Sequence, residues 1–303
     1  VYMVFTRHFL QLANEGLFVP IDDLIERDNI DMSKWMMDQR VWGGFKGKIY
    51  GFVRGAAIPQ GLYYNKGMFS DAGLSYPTDD WTWDDLVAAG KTLANPPDRY
   101  AMTPIGNAVP HWPQMVLSNG GQFFDEDETK CLLNEPAAVE AFEWMVGLVR
   151  ELKICPLPGE MQGTQAFTSG KVAMHMTHAQ WWAYKEVSAD FTIDCWHAML
   201  PYAPGGKRVY LAQSHPWCIS KISKLKEEAW MWMKYITMDP VPLTYLTKNY
   251  VPGAYDFDAL IDALAPAERD HYRVLIDAAP HLVPERYGIK AAAQVLSIMS
   301  PEI

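Results

Sequence analysis

Residues 45–86, FKGKIYGFVRGAAIPQGLYYNKGMFSDAGLSYPTDDWTWDDL, decide how the rest of the chain is read. A G-K-x-Y-G run, Gly47 to Gly51, opens an apolar strand over Ile49–Val53. An aromatic strand over Gly61–Tyr64 follows and closes on Tyr64-Asn65-Lys66. Ala72-Gly73-Leu74 reads as a turn. Thr82 stands three residues before Asp85, an N-cap pattern that puts Trp83 in the first turn of a helix. Strands alternating with helices over so short a stretch mark the α/β class.

The pattern continues outward. Val1–Phe5 reads as a strand, and Phe9–Glu15 as a helix that Gly16 ends. Val139, Phe142, Met145, Leu148 and Leu152 recur at helical spacing behind Asn134 and Pro136, which predicts a helix over Pro136–Leu152. Gly170 turns the chain into Lys171–Met176, where Val172, Met174 and Met176 alternate with Lys171, Ala173 and His175 as in a half-buried strand. Gly205-Gly206 reads as a turn between strands. A helix over Lys226–Met238 is stopped by Asp239-Pro240. There is no repeat, low-complexity tract or long charged linker, so two lobes would be joined by several chain crossings rather than one tether.

Composition sets bounds. A chain of 303 residues with 49% hydrophobic content exceeds a single small core. Thirty-six acidic against 26 basic side chains leave a net charge of −10, which argues against a nucleic-acid partner. Twelve Trp and 15 Tyr supply flat amphipathic faces of the kind sugars stack on. Cys131, Cys155, Cys195 and Cys218 form no C-x-x-C pair, and their even number permits disulfides without requiring them. No apolar run reaches the length of a membrane span. The start, VYMVFTRHF, lacks a basic n-region and cleavage site, so the reading is a soluble chain from which any export signal has been lost or removed.

In order along the chain, the opening motif is accompanied by FLQLANEGLFVPIDDLI (Phe9–Ile25), Asn119-Gly120-Gly121, FTSGKVAMHMTHAQWW (Phe167–Trp182), Leu200-Pro201 with Gly205-Gly206, and CISKISKLKEEAWMWMKYI (Cys218–Ile236). Together these resemble the extracellular solute-binding proteins of ABC importers, family 1, the maltose-binding-protein-like family. The resemblance implies a two-lobe α/β fold of the type II periplasmic-binding-protein kind, with hinge crossings between the lobes. It assigns residues 1–55 plus 214–264 to the first lobe and 56–213 plus 265–303 to the second. Relative to the family, both termini look truncated, which would leave an unpaired sheet edge in the first lobe.

The resemblance also implies a ligand cleft between the lobes, at the carboxyl ends of the strands, that closes by hinge rotation. A neutral sugar needs aromatic faces for its C–H patches and planar polar groups for its hydroxyls. Trp181 and Trp182 stand where the resemblance puts a ring-stacking tryptophan, with Trp181 the first choice. Trp112 and His111 sit in a Pro-flanked loop, with packing beneath the loop as the alternative for Trp112. Thr6, Arg7 and His8 follow the first strand, and Arg7 offers bidentate bonds to vicinal hydroxyls. Arg54 and Gln60 flank the first crossing. Gln213, Ser214, His215 and Trp217 flank the second, and His215 is a better ligand candidate than His111. Tyr63, Tyr64, Asn65, Lys66 and Trp83 identify the family but read as scaffold.

The function expected is reversible binding of a mono- or oligosaccharide and its delivery to the transmembrane subunits of an ABC permease. The chain would act as a monomer, without cofactor or metal, in the periplasm or outside the cell, with a lipid anchor as an option. A non-sugar solute on the same fold, such as a polyamine or a phosphorylated polyol, is the alternative. A carbohydrate-active hydrolase is the weaker one. Asp22-Asp23, Asp79-Asp80 and Asp84-Asp85 read as solvated caps. His175-x-x-His178 and Cys195-x-His197 have no third ligand, and there is no H-E-x-x-H, G-x-S-x-G or phosphate-binding loop.

Overall fold

The computed structural model describes residues 1–55, 59–103, 111–125, 130–157, 159–161, 163–178, 193–213, 215–249 and 253–285. The strands used below are β1 (Tyr2–Met3), β2 (Gly44–Phe45), β3 (Lys48–Ile49), β4 (Gly51–Val53), β5 (Gln60–Asn65), β6 (Tyr100–Met102), β7 (Val172–His178), β8 (Cys195–Met199), β9 (Tyr210–Ala212) and β10 (Pro216–Cys218). The described residues fall into two compact units, the first within 1–58, 212–275 and 282–298, the second within 59–211 and 276–281.

The first unit is built on a three-stranded sheet, ordered β1-β10-β4. β10 runs antiparallel to both neighbours, with Met3 and Phe52 opposite Trp217, and Tyr2 and Gly51 opposite Cys218. Gly51 is required there, because a Cβ would stand 2.6 Å from the Trp217 carbonyl oxygen and 2.7 Å from Cys218 Sγ. The single strand expected over Ile49–Val53 is two short ones. β3 pairs with β2 through a tight turn at Lys46-Gly47, both at positive φ, and only β4 joins the sheet. Under the sheet, Phe52 packs between Trp35 and Trp230, at ring-centre distances of 4.8 and 5.9 Å, within a core that includes Ile21, Trp42 and Met233.

The helix expected over Phe9–Glu15 begins earlier, at Thr6, and runs to Asn14, because Phe5 is extended and buried Thr6, Phe9 and Ala13 share one face. Gly16 ends it at φ +71°, donating to the Ala13 carbonyl. The helix Lys226–Met238 has the expected bounds, and Asp239-Pro240 follows it. Residues 265–275, expected with the second lobe, belong to the first unit. Tyr272, Val274 and Leu275 are buried, and the Tyr272 hydroxyl donates to the Thr247 carbonyl in the helix Pro240–Asn249.

The second unit holds a four-stranded sheet, ordered β6-β7-β5-β8. β5 is antiparallel to β7 and β8, and β6 is parallel to β7. The alternation expected of β7 does not translate into a half-exposed strand: Ala173 and His175 are as buried as Val172, Met174 and Met176. β7 is internal, and the helix Gly163–Thr168 places Phe167 5.7 Å from the His175 ring. The helix expected over Pro136–Leu152 forms over Pro136–Arg150, but its packed stripe is Ala138, Ala141, Met145 and Leu148, leaving Val139 38% exposed. Small alanines on that stripe let it approach the helix His111–Ser118 closely. Gly205 takes φ +72°, and Gly206 admits no Cβ, which would stand 2.3 Å from the Ser118 carbonyl oxygen.

Candidate functional site

Because β10 runs against β1 and β4, the residues that follow β1, follow β4 and precede β10 gather at one end of the first unit's sheet. Val4 fixes this end by donating its N–H to the Pro216 carbonyl at 2.9 Å. Thr6, Arg54 and His215 stand at this end, and Trp217 lies one residue inside β10.

Trp217 is half-buried in the middle of β10, and the Arg54 guanidinium lies over its ring, 5.7 Å from the centre. A cation over an indole gains of order 0.5–1 kcal/mol where exposed and orients the guanidinium plane. His215 is held from two sides. The Thr6 backbone N–H donates to its Nδ1 at 3.3 Å, with the Thr6 hydroxyl 3.4 Å from the same nitrogen. The Phe5 ring meets the imidazole edge-on at 4.6 Å. Gln213 is half-buried just upstream. The set offers an indole face, a planar fork of donors and an imidazole, which is recognition chemistry for a hydroxyl-rich solute.

Two of the candidates are buried. Thr6 is 1% exposed and engaged with His215. Trp112 is 3% exposed, T-shaped against Phe123 at 5.7 Å and tilted over Phe142 at 5.8 Å. It anchors the first turn of the helix His111–Ser118 in the core, because the helix begins one residue before it and the loop ends there. Trp181, Trp182 and Ser214 lie outside the described residues, as do the side chains of Arg7 and His111, although the Arg7 backbone is helical.

At one end of the second unit's sheet, Gln60 opens β5 opposite His178, the last residue of β7, and Thr103 follows β6. Nδ1 of His178 is buried and has no partner among the described residues. Burial pushes the pKa of this ring down, which keeps it neutral. In the sequence His178 stands out only as half of a His-x-x-His pair. Its signal was its place at the end of an apolar strand. The other half of that pair is spent structurally, since His175 sets Nδ1 against Thr103 Oγ1 at 3.0 Å and Nε2 against Thr164 Oγ1 at 3.5 Å.

The Tyr63–Lys66 motif is scaffold. Tyr63 and Tyr64 are buried, Asn65 caps the helix Lys66–Asp71 by accepting from the Met68 N–H at 3.1 Å, and Lys66 pairs with Asp194 at 3.2 Å. Trp83 stacks on Trp144 at 4.2 Å. The four cysteines are free thiols, and burial pushes Cys155 and Cys218 well above the ordinary thiol range. Among the described residues, no group of three or more His, Cys, Asp or Glu side chains is placed to hold a metal ion, and no helix is long and apolar enough to cross a membrane.

The lactose-binding protein of Rhizobium radiobacter is 29% identical over 160 residues, 52% of this chain and 36% of that protein. The arabinooligosaccharide-binding protein of Halalkalibacterium halodurans is 32% identical over 117 residues, 37% of this chain and 25% of that protein. The matches thus span about a third and a quarter of these relatives. Among solved structures, the ABC substrate-binding protein Lmo0181 of Listeria monocytogenes, in complex with cycloalternan, superposes with a TM-score of 0.82 at 22% identity, covering 99% of this chain and 76% of that one. UgpB of Mycobacterium tuberculosis, in complex with glycerophosphocholine, gives 0.78 at 18% identity, covering 99% and 75%. These likenesses establish the fold as the two-lobe α/β fold of type II solute-binding proteins. The family model for bacterial extracellular solute-binding proteins matches residues 1–241, and the chain belongs to that family.

Proposed function

We propose that this chain is the solute-recognition component of an ABC importer, and that it binds a mono- or oligosaccharide reversibly and without chemical change. The observation that carries the reading is the Arg54 guanidinium over the Trp217 ring, with His215 two residues before that tryptophan at the start of the same strand. A pyranose presents C–H patches on its faces and hydroxyls at its edge, and these three side chains match both. The named ligands of the relatives, lactose and arabinooligosaccharide, and the cycloalternan held by the Listeria protein support the same class. The partners would be the importer's transmembrane subunits, met on the outer side of the membrane.

The test is a titration of intrinsic tryptophan fluorescence, paired with calorimetry, against lactose, maltose, mannobiose, arabino-oligosaccharides, a polyamine and glycerophosphocholine. A saturable response to a sugar, with the sugar recovered intact, is expected. A response to glycerophosphocholine alone would replace the sugar with a phosphodiester. Silence across the sugars, or cleaved sugar in the recovered sample, would overturn the proposal.

A further inference from the structure

We infer that Thr6 is a positioning residue that locks His215 as its Nε2–H tautomer, so that the imidazole enters solute recognition as a fixed hydrogen-bond donor. The inference rests on the sugar-binding reading above for its functional consequence, but its chemistry stands on the geometry alone. A backbone N–H only donates. The Thr6 N–H aimed at His215 Nδ1 at 3.3 Å therefore requires a lone pair on that nitrogen. The Thr6 hydroxyl, 3.4 Å from the same atom, then also donates to it. In a neutral imidazole the proton must consequently sit on Nε2, on the far side of the ring from Thr6.

The arrangement costs the helix nothing. Thr6 is the first residue of the helix Thr6–Asn14, where a backbone N–H has no acceptor within the helix. Thr6 is also almost wholly buried, so the bond to His215 engages a donor that has been taken out of water. Phe5, packed edge-on against the imidazole, fixes the plane of the ring as Thr6 fixes its protonation. With Nδ1 accepting from Thr6, the second ring nitrogen of this tautomer is a donor and not an acceptor. Combined with the donors of Arg54, this favours ligand groups that accept, such as hydroxyl, ring or phosphoryl oxygens, and disfavours an ammonium group, which only donates.

Proline at position 6 isolates the effect. It deletes the N–H and the hydroxyl together, is tolerated at the first helical position, and requires an extended preceding residue, which Phe5 already is at φ −61° and ψ 131°. Imidazole nitrogen shifts, read by long-range 15N–1H correlation on the full chain, should show His215 with Nδ1 unprotonated and Nε2 protonated in the wild type and in Thr6→Ser. Thr6→Pro should mix the tautomers and weaken the tightest-binding sugar of the panel by about tenfold, the scale of one lost hydrogen bond. Thr6→Ser should retain near wild-type affinity. A wild-type His215 protonated on Nδ1 would overturn the inference, as would a folded Thr6→Pro protein with unchanged affinity. Should Thr6→Pro not fold, the wild-type shifts decide the tautomer. Thr6→Val, which keeps the N–H, should then keep that tautomer too, and a switch to Nδ1–H there would overturn the inference. If the tautomer is as inferred and no sugar binds, it is the sugar reading that fails.

Discussion

Arg54 and Asp28 show how differently two charged residues of one unit are used. Arg54 spends its guanidinium on the Trp217 face and, in the proposed function, on solute oxygens. Arg54→Ala should therefore weaken sugar binding by roughly 10- to 100-fold, the range of a hydrogen bond to a charged group, with little change in melting temperature. Arg54→Lys should not restore it, since an ammonium lacks the planar fork; calorimetric titration of both variants is the check. Asp28, by contrast, is structural. It accepts from Arg27 Nε at 2.8 Å and from Trp230 Nε1 at 2.7 Å, and pairs with Lys234. These bonds, Arg27's first, hold its carboxyl well below the usual carboxylate range. Its folded pKa is thus depressed, so the stability it contributes is full above the unfolded pKa of about 4 and is lost as pH falls towards the folded value. Asp28→Asn should melt below the wild type at pH 7, and the gap should narrow steadily in melts taken below about pH 4.

Elements are held by a few close approaches and caps, and these are where stability should respond. The helix Trp83–Leu93 starts on a capping box in which the Thr82 N–H and hydroxyl donate to Asp85 Oδ2 at 2.8 and 2.7 Å. Thr82→Ala should cost about 1 kcal/mol in urea unfolding. Gly51→Ala should cost more, about 1–3 kcal/mol, because the added methyl meets the Trp217 carbonyl and Cys218 Sγ in the adjacent strand. That substitution should also reduce solute affinity, since β4 and β10 carry Arg54, Trp217 and His215 to the same sheet end. Thr82→Ala lies in the second unit and should leave those three residues undisturbed. Element type was plain in the sequence wherever apolar spacing was long, as over Lys226–Met238. Phase was less so: Val139 looked like core, and the closer-packing Ala138 and Ala141 took its place.

For the molecule as a whole, reversible binding without chemistry predicts linkage. At a sugar concentration of 100 times Kd, unfolding should require about 2.7 kcal/mol more than without sugar, measured by denaturant titration of the full chain. A sugar that leaves the midpoint unmoved at saturating fluorescence would contradict a native-state complex. The sequence alone determined the α/β class, the family and the scaffold role of the Tyr63–Lys66 motif, because hydrophobic period, caps and motif order are local and survive in one dimension. It also offered candidate ligand residues beside the expected chain crossings. Which residues meet depends on packing in three dimensions. Strand register set Trp217 beneath Arg54, the extended Phe5 aimed the Thr6 N–H at a histidine 209 residues away, and Trp112 turned into the core. Such pairings depend on which strands neighbour one another and in what register, and spacing along a single chain does not encode that.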